Sequence, residues 1–139
     1  MAEPVIVVVR SLDQEAPAPN ADRLARLKLA ETETVRYRRV QLLCAGLVLC
    51  EAENWYVPER LSPEMNRQLE TTDIPFGKVV RALSPYRETF ASRRFWSAEH
   101  IPPSLFRVQA LLLGPDMIPL AEVDEHYQRP LLEFPLSQR

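Results

Sequence analysis

The sequence predicts an α+β fold: a mostly antiparallel sheet with helices packed on one side. Three observations carry this. Two stretches rich in β-branched and aromatic residues are broken by the turn formers Ala45-Gly46 and Gly114-Pro115-Asp116, so each reads as a hairpin, and hairpins pair antiparallel. The helical signals come in blocks rather than after every strand, unlike the alternation of a parallel α/β sheet. A chain of 139 residues fits one domain, taken as residues 1–139, and 46% apolar against 26% charged residues is an ordinary globular balance.

Taken in order, residues 5–9 are short and β-branched and read as a buried strand. Proline places residues 16–20 in a loop. Asn20 or Asp22 is suited to cap a helix to about Leu29, with Leu24, Leu27 and Ala30 on one face. Residues 35–44 and 47–57 form the first hairpin, and Pro58 ends it. Ser62-Pro63-Glu64 combines an N-cap, a first-turn proline and a first-turn acid, so a helix runs to about Glu70. Pro75 opens another short helix to Leu83. Residues 87–96 read as a strand, residues 105–113 and 118–127 as the second hairpin, and the tail from Pro130 as a short edge segment.

The net charge of -2 speaks against a nucleic-acid partner, which selects a basic excess. Lys28 and Lys78 are the only lysines among 17 cationic residues. Arginine binds carboxylates with a two-point fork, so an anionic ligand and a codon bias both fit. Cys44 and Cys50 have neither zinc nor disulfide spacing and read as small apolar residues of a reducing, cytoplasmic compartment, on adjoining strands but offset. The start has no basic region to make residues 5–9 a signal peptide, and no stretch is long enough for a membrane span. His100 and His126 are isolated, so no metal site is expected.

Two residues stand out chemically. Arg39 shares strand parity with Val35, Tyr37 and Leu43 and is expected to point inward, toward an anion or an internal carboxylate. Arg36 and Arg38 share the other parity with Val40 and Leu42, so the facing is mixed. Glu122 lies in a strand with two largely apolar faces. Buried, it reads either as a carboxyl of raised pKa, able to donate a proton, or as the ion-pair partner of an arginine such as Arg39. Asp124-Glu125-His126 lacks a nucleophile in an elbow, and no phosphate-binding glycine loop is present. Arg93-Arg94-Phe95-Trp96 reads as ordinary strand alternation rather than a single-strand platform. At residues 72–77, Gly77 after Phe76 at a helix start suits a close backbone approach by a ligand or a strand.

Together, residues 39–44 (RVQLLC), 52–58 (AENWYVP), 74–77 (IPFG) and 119–122 (PLAE) resemble the chorismate pyruvate-lyase family and its relatives, the effector-binding domains of GntR-type regulators. The ordered set spans about residues 5–127. The resemblance implies a six-stranded antiparallel sheet and removal of pyruvate from chorismate to give 4-hydroxybenzoate, a step of ubiquinone biosynthesis, with no cofactor or metal. It implies that Arg39 holds the ring carboxylate, that Glu122 meets the ring oxygen as general acid, and that Phe76 with Gly77 shapes the ring pocket. Two departures accompany it. Lyases begin with helices bearing a Met-containing loop, where residues 1–4 precede the first strand here, and Phe76 stands where the enzymes carry leucine. Three readings follow: a lyase, a non-catalytic binder of an aromatic or sugar-like acid, and a structural homodimer without a pocket. The expected partner is a small-molecule carboxylate, with no nucleic acid and no membrane.

Overall fold

The computed structural model describes residues 6–11 and 20–133, with side chains described for residues 20–132. The expected loop at 16–19 and Phe134 of the tail lie outside the described residues. In chain order the elements are β1 (Ile6–Ser11), α1 (Ala21–Leu27), β2 (Arg36–Cys44), β3 (Leu47–Tyr56), α2 (Pro63–Thr71), α3 (Phe76–Val79), β4 (Tyr86–Arg94), β5 (Ser104–Leu113) and β6 (Pro119–Gln128). The strands form one antiparallel sheet in the order β1-β2-β3-β6-β5-β4. The described part of the tail, Arg129–Glu133, forms a 3-10 turn. β1 is an outermost strand, not a central one.

Local chemistry sets the ends of the elements. Asn20 caps α1 by accepting from the Arg23 N–H at 2.7 Å. Ser62 caps α2 by accepting from the Met65 N–H, with Pro63 in the first turn. Ala45 and Gly46 both take positive φ, 52° and 79°, which matches the two-residue hairpin turn whose twist follows that of its strands. The second hairpin turns through Asp116 and Met117, also at positive φ. Cys44 lies opposite Leu47 and Cys50 opposite Leu42, so the two buried thiols are offset across the hairpin.

Register divides the sheet into unlike faces. On the first, Tyr37, Trp55, Glu122 and Leu111 form one cross-strand row, followed by Arg39, Glu53, Asp124 and Gln109. On the second, the matching rows are Arg38, Asn54, Val123 and Ala110, then Val40, Ala52, Glu125 and Val108. The helices do not all pack on one side. α2 and α3 cover the second face, where Leu69, Phe76, Val79 and Val80 join Tyr56, Leu112 and Val123. α1 covers the first face, where Leu27 packs with Tyr37, Trp55 and Leu111. α1 is anchored there because Arg60 donates to the Leu27, Lys28 and Pro119 carbonyl oxygens at 2.6–2.8 Å and pairs with Glu33, supplying partners for the open end of a helix.

Close approach also fixes the β5–β6 turn. A methyl group on Gly114 would lie 2.9 Å from Leu120 Cδ2, and Leu120 is buried. Gly114→Ala is therefore expected to lower stability by about 1–3 kcal/mol through overpacking, measured by urea denaturation.

Candidate functional site

The second face carries a hollow beneath the α2–α3 connection. Val40, Leu42, Ala52, Asn54, Leu112 and Val123 line its sheet side, and Pro75, Phe76 and Gly77 its helical side. Arg87 and Glu125, ion-paired across β4 and β6, add a polar patch. The free volume is about 180 Å³, below the ~300–1,000 Å³ usual for drug-sized ligands. The sequence builds this chamber by placing small or branched side chains at alternate positions of β2, β3 and β6. Pro75 then starts the short α3, with the Val79 N–H donating to the Pro75 carbonyl, and this turn holds Phe76 over the sheet.

Next to this hollow lies Arg38. It is fully buried, opposite Asn54 and two residues from Val40, both of which line the chamber. Its Nη2 donates to the Thr72 carbonyl at 2.9 Å, while Nε and Nη1 are out of solvent contact and have no hydrogen-bond partner. Among the described residues no carboxylate is in ion-pair contact with it. Burial pushes the pKa of this guanidinium below the usual arginine value, against the opposing influence of Tyr56 and Asp73. An arginine nevertheless stays charged, so Arg38 is a buried cation with two unpartnered nitrogens, Nε and Nη1, on different edges of the guanidinium.

The residues singled out from the sequence are divided between the faces. Phe76 is buried and packs against Tyr56, ring centroids 5.6 Å apart, while lining the hollow. Gly77 lines it too, and a methyl group there would meet nothing within 4 Å, so no neighbouring strand approaches its backbone. Arg39 and Glu122 stand together on the opposite face, and neither lines the hollow. Arg39 is half-exposed and donates to Glu51 Oε2 at 3.0 Å. Glu122 is fully buried under α1, where Arg23 Nε donates to Oε2 and Arg26 Nε to Oε1, each at 2.6 Å. The Arg23 guanidinium also lies over the Trp55 ring, 3.6 Å from its centroid. Glu122 thus realises the ion-pair alternative with Arg23 and Arg26 in the place of Arg39. Both carboxyl oxygens are occupied, and the sheet separates them from Phe76 and Gly77.

Around Arg39 the first face is a lattice of satisfied charges. Asp124 accepts from Arg107 Nε and Nη2 at 2.9 and 2.6 Å and lies 3.2 Å from His126 Nε2. Glu53 accepts from the Tyr37 hydroxyl at 2.7 Å. One ligand atom each of Glu53, Asp124 and His126 lie within 4.8 Å of one another, but each side chain already has a protein partner. Burial raises the pKa of the Cys50 thiol, which removes it as a nucleophile at neutral pH.

Sequence reasoning missed Arg38, Asn54 and the Arg87–Glu125 pair. A signal for the first was present: Val40 and Leu42 share its parity and mark the buried face of β2. For Glu122, the signal was the spacing of Arg23 and Arg26, three apart on a helix and so on one side of it.

No family model matches the chain. An uncharacterized protein, y4mC, of Sinorhizobium fredii is 39% identical over 127 residues, covering 78% of this chain and 54% of the relative. The chain therefore spans about half the length of the curated relative it matches. Among solved structures, the ligand-binding domain of a protein described as a GntR-family transcriptional regulator from Bordetella bronchiseptica superposes with a TM-score of 0.64 at 13% identity, covering 93% of this chain and 85% of that one. YydK of Bacillus subtilis, described as a possible transcriptional regulator, gives 0.62 at 16% identity, covering 91% of this chain and 60% of that one. The fold is thus that of these domains. Among the described residues no helix is long and apolar enough to cross a membrane.

The two arginine–glutamate contacts of the first face separate cleanly by energy. Glu122→Gln leaves two guanidiniums beside a neutral group and is expected to cost about 3–5 kcal/mol. Arg39→Ala removes an exposed pair and is expected to cost less than about 1 kcal/mol. Urea denaturation of both variants checks the contrast.

Proposed function

We propose that this chain is a non-catalytic binding domain for a small organic anion, held in the hollow of the second face with Arg38 as its counter-ion. The two unpartnered guanidinium nitrogens of Arg38 carry the reading. A buried charge without a partner costs several kcal/mol, and a carboxylate or phosphate oxygen meets such a donor with a charge-assisted hydrogen bond. The apolar lining of the chamber suits a compact ring or carbon skeleton, and Asn54 with the Arg87–Glu125 pair suits one or two polar substituents. Because both free donors of Arg38 are out of solvent contact, the anion reaches them only if the segment 72–77 lifts.

Likeness in fold to a domain described as ligand-binding supports the same reading. The lyase reading requires an anion anchor and a proton donor in one chamber with Phe76 and Gly77. Arg39 and Glu122 lie across the sheet from that chamber, each engaged by another side chain. Binding without turnover is therefore the better-supported function, with the identity of the acid set by the shape of the hollow.

Thermal unfolding with 4-hydroxybenzoate, chorismate and a hexose phosphate tests this. One of the three is expected to stabilise the chain, by about 2.7 kcal/mol at a hundredfold excess over Kd. Arg38→Met is expected to abolish that gain while raising the stability of the chain alone by about 1–4 kcal/mol, because an uncompensated buried charge is replaced by an apolar side chain. Chorismate is expected to be recovered unchanged. Appearance of 4-hydroxybenzoate from chorismate, or an undiminished ligand response in Arg38→Met, overturns the proposal.

A further inference from the structure

The first face is covered by α1 only over the row of Tyr37, Trp55, Glu122 and Leu111. The next two rows, Arg39-Glu53-Asp124-Gln109 and Gln41-Glu51-His126-Arg107, are polar throughout. A cavity of about 400 Å³ opens over them, lined by Arg39, Glu51, Glu53, Ser104, His126 and Gln128. His126 is isolated in the sequence, but the sheet brings it together with two acids. Glu53 of β3 lies directly opposite Asp124 of β6, and His126 follows Asp124 by two residues and so shares its face.

We propose that Glu53, Asp124 and His126 bind one divalent first-row metal ion, with Zn²⁺ the best fit. Geometry is the first argument. His126 Nε2 lies 3.2 Å from Asp124 Oδ1. Two ligand atoms, each ~2.1 Å from one ion, stand about 3.0–3.4 Å apart at octahedral or tetrahedral angles. This pair therefore already spans one edge of a coordination polyhedron. A carboxylate oxygen of Glu53 lies within 4.8 Å of both, and Glu53 is half-buried, so a side-chain rotation closes the remaining gap.

Charge is the second argument. Arg39 neutralises Glu51, and Arg107 neutralises Asp124. Among the described residues no arginine or lysine is in ion-pair contact with Glu53, so with a neutral imidazole the group keeps one negative charge. The third argument is that the existing partners leave room and act as an outer support. Arg107 uses two of the roughly four acceptor positions of the Asp124 carboxylate, and the Tyr37 hydroxyl donates to Oε2 of Glu53, not Oε1. Ligating carboxylates are held in place by such outer hydrogen bonds. Asp124 is buried, whereas Glu53 and His126 line the cavity, which gives the ion a fixed ligand and an entrance from solvent. One imidazole with two carboxylates suits Zn²⁺ better than Mg²⁺ or Ca²⁺, which favour oxygen alone. A plain contact of protonated His126 with Asp124 also accounts for the 3.2 Å distance, but only an ion engages all three side chains. The site lies across the sheet from Arg38 and is independent of the anion-binding reading.

Isothermal titration of the 139-residue chain and its variants with zinc chloride tests the proposal. One ion per chain is expected, with a Kd below about 100 micromolar. His126→Ala and Glu53→Gln are each expected to weaken binding at least about tenfold, the loss that even a change in the outer support brings. His100→Ala, at the other histidine, is expected to leave binding unchanged, which separates a built site from adventitious capture by histidine. Co²⁺ in place of Zn²⁺ is expected to show no thiolate-to-metal absorption, because neither buried cysteine takes part. Circular dichroism checks the fold of each variant, and a misfolded one is replaced by His126→Gln or Glu53→Ala with the same expectation. Weaker binding by the unaltered chain, full affinity in either ligand variant, loss of binding in His100→Ala, or a thiolate band would each overturn it.

Discussion

Cross-strand pairing of Arg38 with Asn54 and of Arg39 with Glu53 governs most of what distinguishes this molecule. Adjacent residues of a strand face opposite ways, so this register sends one arginine to each side of the sheet. On the first face the cations of β2 and β5 meet carboxylates, Arg39 with Glu51 and Arg107 with Asp124. On the second, Arg38 meets a carbonyl oxygen and lies opposite Asn54. A shift of one residue would exchange the two sets, burying a satisfied surface pair and exposing the buried cation of the second face.

The faces differ in what holds their helices. α1 is fixed to the first face electrostatically as well as by packing. Arg23 and Arg26 close on Glu122, Arg23 covers Trp55, and Arg60 ties the helix end to the start of β6. Such a buried cluster is costly to break, because removing one member strands the others. The second face is held chiefly by apolar contact of Leu69, Phe76, Val79 and Val80. Apolar contacts are non-directional, so the short segment over the hollow is the cover better able to move.

The likeness in fold to a domain described as the ligand-binding part of a regulator fits this division. A rigid sheet with one side latched and one side covered by short helices gives a scaffold and a chamber from the same strands. Which chemistry the chamber serves depends on the groups that face it, not on the fold. Here those groups are the Asn54 amide and the Arg87–Glu125 ion pair, with the buried Arg38 cation next to them.

The sequence by itself determined the elements and most of their ends. Ser62-Pro63, Asn20 and Ala45-Gly46 act through neighbours a few residues away, so their effects are written locally. It also determined that Glu122 would be buried, because that strand is apolar on both sides. Only the tertiary structure decided who meets whom. The parity of β2 left Arg38 and Arg39 open to exchange. The partners of Glu122 come from a helix nearly a hundred residues earlier, and the division of helices between the faces depends on connections that carry no local signal. Long-range pairing is a property of the whole sheet, and the sheet assigned the unpaired charge to the face that α2 and α3 cover.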